Sequence, residues 1–290
     1  MTSDSPQPPA DFHELQLKSL LYRKTLLKLI YSVKAGHTGG SLSCVDLLNV
    51  LYNHVMDITP QNFDQRDRDH YIHSKGHAVE ALYAVLADKG FFPWAELETV
   101  GKYGSHFVGH PTRDIPGIEQ NTGGLGHGLS FAVGMALAAK MDGLRSRVFT
   151  IMGDGELAEG SVWEAAASAA HYRLDNLVAI VDRNTLQISG RTEDVMALEP
   201  LEDKFRAFGF AVCPVDGNDI PTLVRTFERL PFEPGKPNLV LAHTTKGKGI
   251  SFIEDKAAWH HKVPSETEFE VALRELGLAA EDLEAIDGLE

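Results

Sequence analysis

The sequence predicts an α/β fold, a doubly wound parallel sheet with helices on both faces. Three observations carry this. Short apolar runs at 148–152, 177–181, 211–215 and 239–242, with a less apolar one at 70–73, have strand length. They lack the polar alternation of a sheet half open to water. Ala-rich stretches of helical spacing separate several of these runs, as crossover helices would. Glycine-rich polar segments fall directly behind the apolar runs, at the carboxyl ends where open α/β sheets bind ligands.

Residues 1–10 hold three prolines and no apolar periodicity, which predicts a mobile arm ahead of one domain spanning 11–290. Over 11–33, Phe12, Leu15, Leu20, Leu27 and Ile30 recur near helical spacing, and Ala35-Gly36 stops the helix. A second helix is expected over 43–54, and a third over 78–89, ended by Gly90. Helices at 131–141 and 162–171 flank the strand at 148–152. The acidic segment from Glu266 reads as a last helix, with Leu273, Leu276 and Leu278 as its apolar members. No repeat and no Ser/Gly linker divides the chain.

Composition excludes several classes. The formal net charge of −14 over 290 residues would repel a phosphate backbone, so no nucleic acid is expected. No apolar stretch is long enough to span a bilayer, so no membrane partner is expected. Cys44 and Cys213 cannot build a disulfide framework and read as reduced thiols. The first basic residue is Lys18, unlike a signal peptide. A cytoplasmic globular protein is the expectation.

The chemistry starts at Gly153-Asp154-Gly155-Glu156, directly behind the strand at 148–152. Val181-Asp182-Arg183-Asn184 stands likewise at the end of the next strand. The stretch 156–183 is long enough for one βαβ crossover, which sets the two strand ends side by side. A carboxylate and an amide oxygen are hard ligands of the kind Mg²⁺ or Ca²⁺ takes, and magnesium with so few protein ligands shares its other sites with phosphate oxygens and water. Alone, GDG is an ordinary turn and Asn184 an ordinary cap. Together, each behind a strand, they indicate a metal-bound diphosphate.

GDG with an Asn one crossover later is the thiamine diphosphate signature, and its surroundings resemble transketolase. AGHTGGS (35–41), SKGH (74–77), GHP (109–111), NTGGLGHG (121–128), GDGELAEG (153–160), DRN (182–184) and WHHKVP (259–264) occur in transketolase order. The resemblance runs from about residue 12 to 265 and covers only the first, diphosphate-binding domain of that family. It implies that Asp154, Asn184 and the Leu186 carbonyl hold Mg²⁺ (or Ca²⁺). Gly153 and Gly155 of the GDG turn, His77 and His261 would meet the diphosphate. Gly123 and Leu125 would lie against the cofactor rings. Glu159 would sit near the aminopyrimidine at a subunit interface. His37 and His261 would handle the proton of the sugar C3 hydroxyl, and His110 would bond the C1 hydroxyl.

The same resemblance implies a C-terminal transketolase subunit as partner, carrying the pyrimidine-binding domain and the glutamate that activates the aminopyrimidine. An α2β2 heterotetramer acting on sugars or sugar phosphates follows. The chain departs from the family in reading GHTGGS, GGLG, and Thr112-Arg113 behind GHP, which leaves the donor and acceptor open. The alternatives are a thiamine diphosphate subunit of a 2-oxo-acid dehydrogenase and a cofactor-binding module without chemistry. Neither accounts for His37, His110 and His261 in their motifs.

Five of the 13 histidines, His37, His77, His110, His127 and His261, fall in glycine- or proline-marked turns, where a group of near-neutral pKa can exchange protons. His13, His54, His106, His171 and His243 read as surface or capping residues, and His127 stands between the two classes. A zinc site at His70, His73 and His77 lacks helical spacing and any supporting cysteine. Neither GxGxxG nor a P-loop occurs. The 245–249 loop, TKGKG, is read as a mobile entrance to the site.

Overall fold

The computed structural model describes residues 10–277. The arm expected over 1–10 lies outside the described residues except for Ala10, as does Leu278. Seven strands and ten α-helices are described: α1 (Phe12–Val33), α2 (Thr38–Ser43), α3 (Val45–Val50), β1 (His70–His73), α4 (Val79–Asp88), α5 (Gly128–Met141), β2 (Val148–Gly153), α6 (Gly160–His171), β3 (Leu177–Arg183), β4 (Leu186–Gln187), β5 (Gly190–Arg191), α7 (Thr192–Val195), α8 (Leu201–Ala207), β6 (Ala211–Asp216), α9 (Ile220–Phe227), β7 (Asn238–His243) and α10 (Glu266–Glu275).

Five strands form one sheet in the order β1-β2-β3-β7-β6, and every pairing is parallel. β4 and β5 make a small separate hairpin. The central strands β2 and β3 are buried along their whole length, as expected of strands covered on both faces. Their side chains alternate between two cores. Phe149, Ile151, Val178, Ile180 and Val240 face a cluster that includes α1, α3, α4 and α9. Val148, Met152, Leu177, Val181 and Leu241 face α5, α6 and α8.

Local chemistry explains the helix ends. Asp11 caps α1 by accepting from the backbone N–H of His13 and Glu14 at 3.0 and 3.1 Å. Lys34 takes a left-handed φ of 54° and ends it. Ser265 and Glu268 close a capping box on α10. The helix expected over 43–54 is α3 running on into a wide turn at Leu51–Val55; a short helix that was not expected, α2 from Thr38, precedes it across a break at Cys44. At the break the Gly40 carbonyl accepts from the Ser43 hydroxyl and the Lys75 ammonium, both at 2.9 Å. His37 stands at the start of α2. No described helix is long and apolar enough to cross a membrane.

Register places the site. Gly153 pairs with Asp182, and Asp182 with Ala242, so β2, β3 and β7 end together. Asp154, Asn184 and Thr244 leave the sheet side by side at its carboxyl edge.

Candidate active site

A cavity of about 380 Å³ opens at this edge. Its walls include His37, His77, His110, Gly123, Leu125, Gly153, Asp154, Gly155, Asn184, Leu186 and His261, all expected from the sequence. Glu159 does not line it. That residue stands exposed at the start of α6, packed beside Gly126, where a Cβ would come within 2.6 Å of the Glu159 Cβ.

The hard-oxygen set is held by neighbours on the same loops. Asp154 is buried; its Oδ1 accepts from the Gly155 N–H at 2.8 Å, and its Oδ2 from the Thr185 N–H at 2.6 Å and Arg183 Nη1 at 3.0 Å. Burial and nearby Asp182 push its pKa up, and Arg183 opposes them. Thr185 reaches this position with a φ of 65°, a left-handed conformation that costs a β-branched residue about 1–2 kcal/mol. Asn184 Oδ1 accepts from the Leu186 N–H at 3.2 Å.

Sequence reasoning missed the residues beneath. Lys75, from the SKGH segment, makes a buried ion pair with Asp182 and also reaches Gly40. Burial works against its charge, but Asp182 lifts its pKa to about 12. Ser43 donates to Asp182 Oδ2 at 2.6 Å, and Thr244 donates to Oδ1. Glu156 is buried too. It accepts from the Gly126 N–H at 2.8 Å, the Gly153 N–H at 3.0 Å and the Ser74 hydroxyl, clasping the 121–128 loop to the GDG turn. Gln187, Ile188 and Ser189 add one wall from the β4-β5 hairpin.

Lys246 is only 2% exposed and forms part of the cavity wall, so the entrance expected of its loop is in fact a wall. Its ammonium donates to the Leu186 carbonyl at 3.1 Å and meets His260 Nδ1 at 2.9 Å. Burial and repulsion from Lys75 lower its pKa to about 8.

Five imidazoles surround the opening. Burial lowers His37 to about 4 and His260 to about 3, and holds His77 well below the usual imidazole range. All three are neutral near pH 7. His110 is also lowered by burial and lies over Gly123, where φ is 134° and a Cβ would come within 2.6 Å of the ring. His260, buried and bonded to Lys246, and His261, exposed, both line the cavity. His127 is exposed outside it, its Nδ1 beside the Gly124 and Leu125 carbonyls. His70 pairs with Glu119, and His73 with Tyr71 and the Ala78 carbonyl, so these rings serve structural bonds.

The arrangement offers hard oxygens for one divalent ion, the Lys246 ammonium for an anion, and neutral imidazoles for proton transfer. Comparison with known proteins points the same way. Residues 21–286 match the family described as "Transketolase, thiamine diphosphate binding domain". The chain is 49% identical over 270 residues to one subunit of the apulose-4-phosphate transketolase of Phocaeicola vulgatus, covering 93% of this chain and 96% of that one. It is 45% identical over 264 residues to "6-deoxy-6-sulfo-D-fructose transketolase subunit SqwG" of a Clostridium species, covering 91% and 96%. Among solved structures, transketolase from Campylobacter jejuni superposes with a TM-score of 0.87 at 29% identity, covering 93% of this chain but 43% of its own.

Proposed function

The chain belongs to the transketolase family, matching its thiamine diphosphate-binding domain, and we propose that its cavity carries a two-carbon ketol transfer from a ketose to an aldehyde. It is a transferase subunit of the two-chain kind, as its near-full-length identity to two separately encoded transketolase subunits indicates. The observation that carries the reading is the convergence at one cavity of Asp154, Asn184, Leu186, two lysines and five histidines.

Asp154, Asn184 and the Leu186 carbonyl would hold Mg²⁺ or Ca²⁺. Their oxygens suit a hard cation, and the Lys246 ammonium already rests on the Leu186 carbonyl. Gly155, His77 and Lys246 would meet the diphosphate, while Gly123 and Leu125 flank its rings. When bound, thiamine diphosphate supplies the electron sink for breaking and remaking the carbon–carbon bond. His37 is neutral and lines the cavity, so its ring can accept a hydroxyl proton from the sugar. His261 is placed beside it, ring centroids 4.4 Å apart, whereas the buried His260 is the better placed of the pair to reach a diphosphate over Lys246. His110, at the rim, would bond the C1 hydroxyl.

The remaining parts come from a partner subunit with the pyrimidine-binding domain, in an α2β2 heterotetramer working in the cytoplasm. Residues 11–290 form its single cofactor-binding domain in this reading. Ile188, exposed on the hairpin wall of the cavity, supports a covered face there, with Glu159 in the same interface. Both relatives' names specify sugars with an anionic group, a phosphate or a sulfonate, so an anionic ketose is the expected substrate class.

The test is a coupled ketol-transfer assay with size exclusion and light scattering, on this chain with and without the partner. Activity and a heterotetramer only in the mixture are expected. Full activity from the lone chain would refute the reading.

A further inference from the structure

His37, His260 and His261 each offer a ring nitrogen, and these three atoms lie within 4.8 Å of one another. The ring centroids are 4.4 Å apart for His37 and His261 and 4.5 Å for His260 and His261. Nδ1 of His37 is buried with no hydrogen-bond partner, a state that a polar atom rarely keeps unless something else binds it. We infer that this trio is a second cation site, taking one zinc-class ion through nitrogen and separate from the hard-oxygen site at Asp154.

Ligand chemistry separates the two. Imidazole suits zinc, copper and nickel, whereas magnesium and calcium take oxygen. Three histidines with an open fourth position form a complete ligand set for zinc. Two nitrogens on one tetrahedral zinc stand about 3.3 Å apart, given Zn–N bonds near 2.0–2.1 Å. The trio therefore has to close by up to about 1.5 Å, and the exposed His261 has room for the largest share.

Lys246 opposes the ion. Its amine lies 2.9 Å from His260 Nδ1. An ion on Nδ1 must take the amine's place, and an ion on Nε2 needs a proton on Nδ1 that an ammonium there excludes. A bound ion would occupy the rings that meet the sugar and so inhibit turnover. That consequence rests on the proposed function, but the binding itself does not.

The test is a Co²⁺ titration of the full chain, without partner or thiamine diphosphate and with excess Mg²⁺ filling the oxygen site. The readout is the visible absorption of four-coordinate cobalt. One equivalent should give the band, Zn²⁺ should displace it, and Asp154→Ala should keep it. His261→Asn and His37→Asn should each lose it, with circular dichroism checking their folds. Lys246→Met should bind about tenfold more tightly, a change of the size that neighbouring groups make at metal sites. If His37→Asn does not fold, the exposed His261→Asn decides. Six-coordinate cobalt in the wild type, or a band unmoved by His261→Asn, overturns the site. Cobalt binding without ketol transfer from the assembled enzyme would refute only the proposed function, and ketol transfer without the band would refute only this site.

Discussion

The ammonium of Lys246 hydrogen-bonds the main-chain carbonyl of Leu186 across 3.1 Å, joining the loop behind β7 to the hairpin behind β3. A buried positive charge therefore stands beside the oxygens expected to hold a divalent ion. Its direct partners are a carbonyl and an imidazole, so an anion entering the cavity adds the charge neutralisation that they do not supply.

Lys246→Met should weaken thiamine diphosphate binding in the presence of Mg²⁺ by roughly 10- to 100-fold, the worth of one charge-assisted hydrogen bond of about 1.5–3 kcal/mol. Asp154→Ala should abolish it, because the diphosphate loses its bridging cation. Calorimetry on the assembled enzyme reads both. Wild-type affinity in Asp154→Ala would remove the metal assignment.

The two neighbouring histidines should separate by their burial. His260→Ala, which removes the ring against Lys246, should raise the KM for thiamine diphosphate by roughly tenfold, the worth of one hydrogen bond of about 1.5 kcal/mol. His261→Ala, at an exposed ring, should act mainly on KM for the sugar. The opposite ranking in steady-state kinetics would return the diphosphate contact to His261.

Glu156 gathers two backbone N–H groups and one hydroxyl that have no water to fall back on. Glu156→Ala should cost about 3–5 kcal/mol of stability, as for a buried charged group whose partners are left unpaired. Chemical denaturation measures this, and hydrogen exchange should show loosening confined first to 121–128. A cost below about 1 kcal/mol would mean that the clasp does not hold the loop.

Glu80 is buried in α4, accepts from the Ser41 hydroxyl at 2.7 Å, and is pushed up by burial from 4.5 to about 7. The folded protein therefore keeps a proton that the unfolded chain gives up. Its contribution is full below about pH 4.5 and is lost as pH rises through 7, on the order of 3 kcal/mol in all. Urea melts across this range should show wild-type stability falling relative to Glu80→Gln. Parallel curves would show that Glu80 ionises normally.

The parts legible in the sequence share one cause. Gly153, Asp154, Asn184 and His77 sit in or beside short polar motifs at strand ends, so composition and position coincide. Lys75 and Asp182 also stand within motifs, but their pairing depends on β1, β2 and β3 aligning, which no local pattern encodes. Glu156 reads as one more acidic residue of the GDG segment until the 121–128 loop folds onto it. The β4-β5 hairpin, two residues on each side, is too short for any periodicity. α9 has only eight residues, although Asp219 and Pro221 mark its start. Sequence does not tell His260 from His261, because burial depends on where the chain turns after Trp259.

The placement of β7 between β3 and β6 bears on how the protein is born. β7 is the last strand of the sheet to leave the ribosome, yet it fills a central position. Until 238–243 emerges, β3 has an open edge and β6 has no strand to join, and open edges of this kind recruit other chains. Lys246 emerges just behind β7, and His260 follows. A nascent chain therefore cannot complete the cavity from its earlier strands, and captured ligand certifies that the sheet has closed.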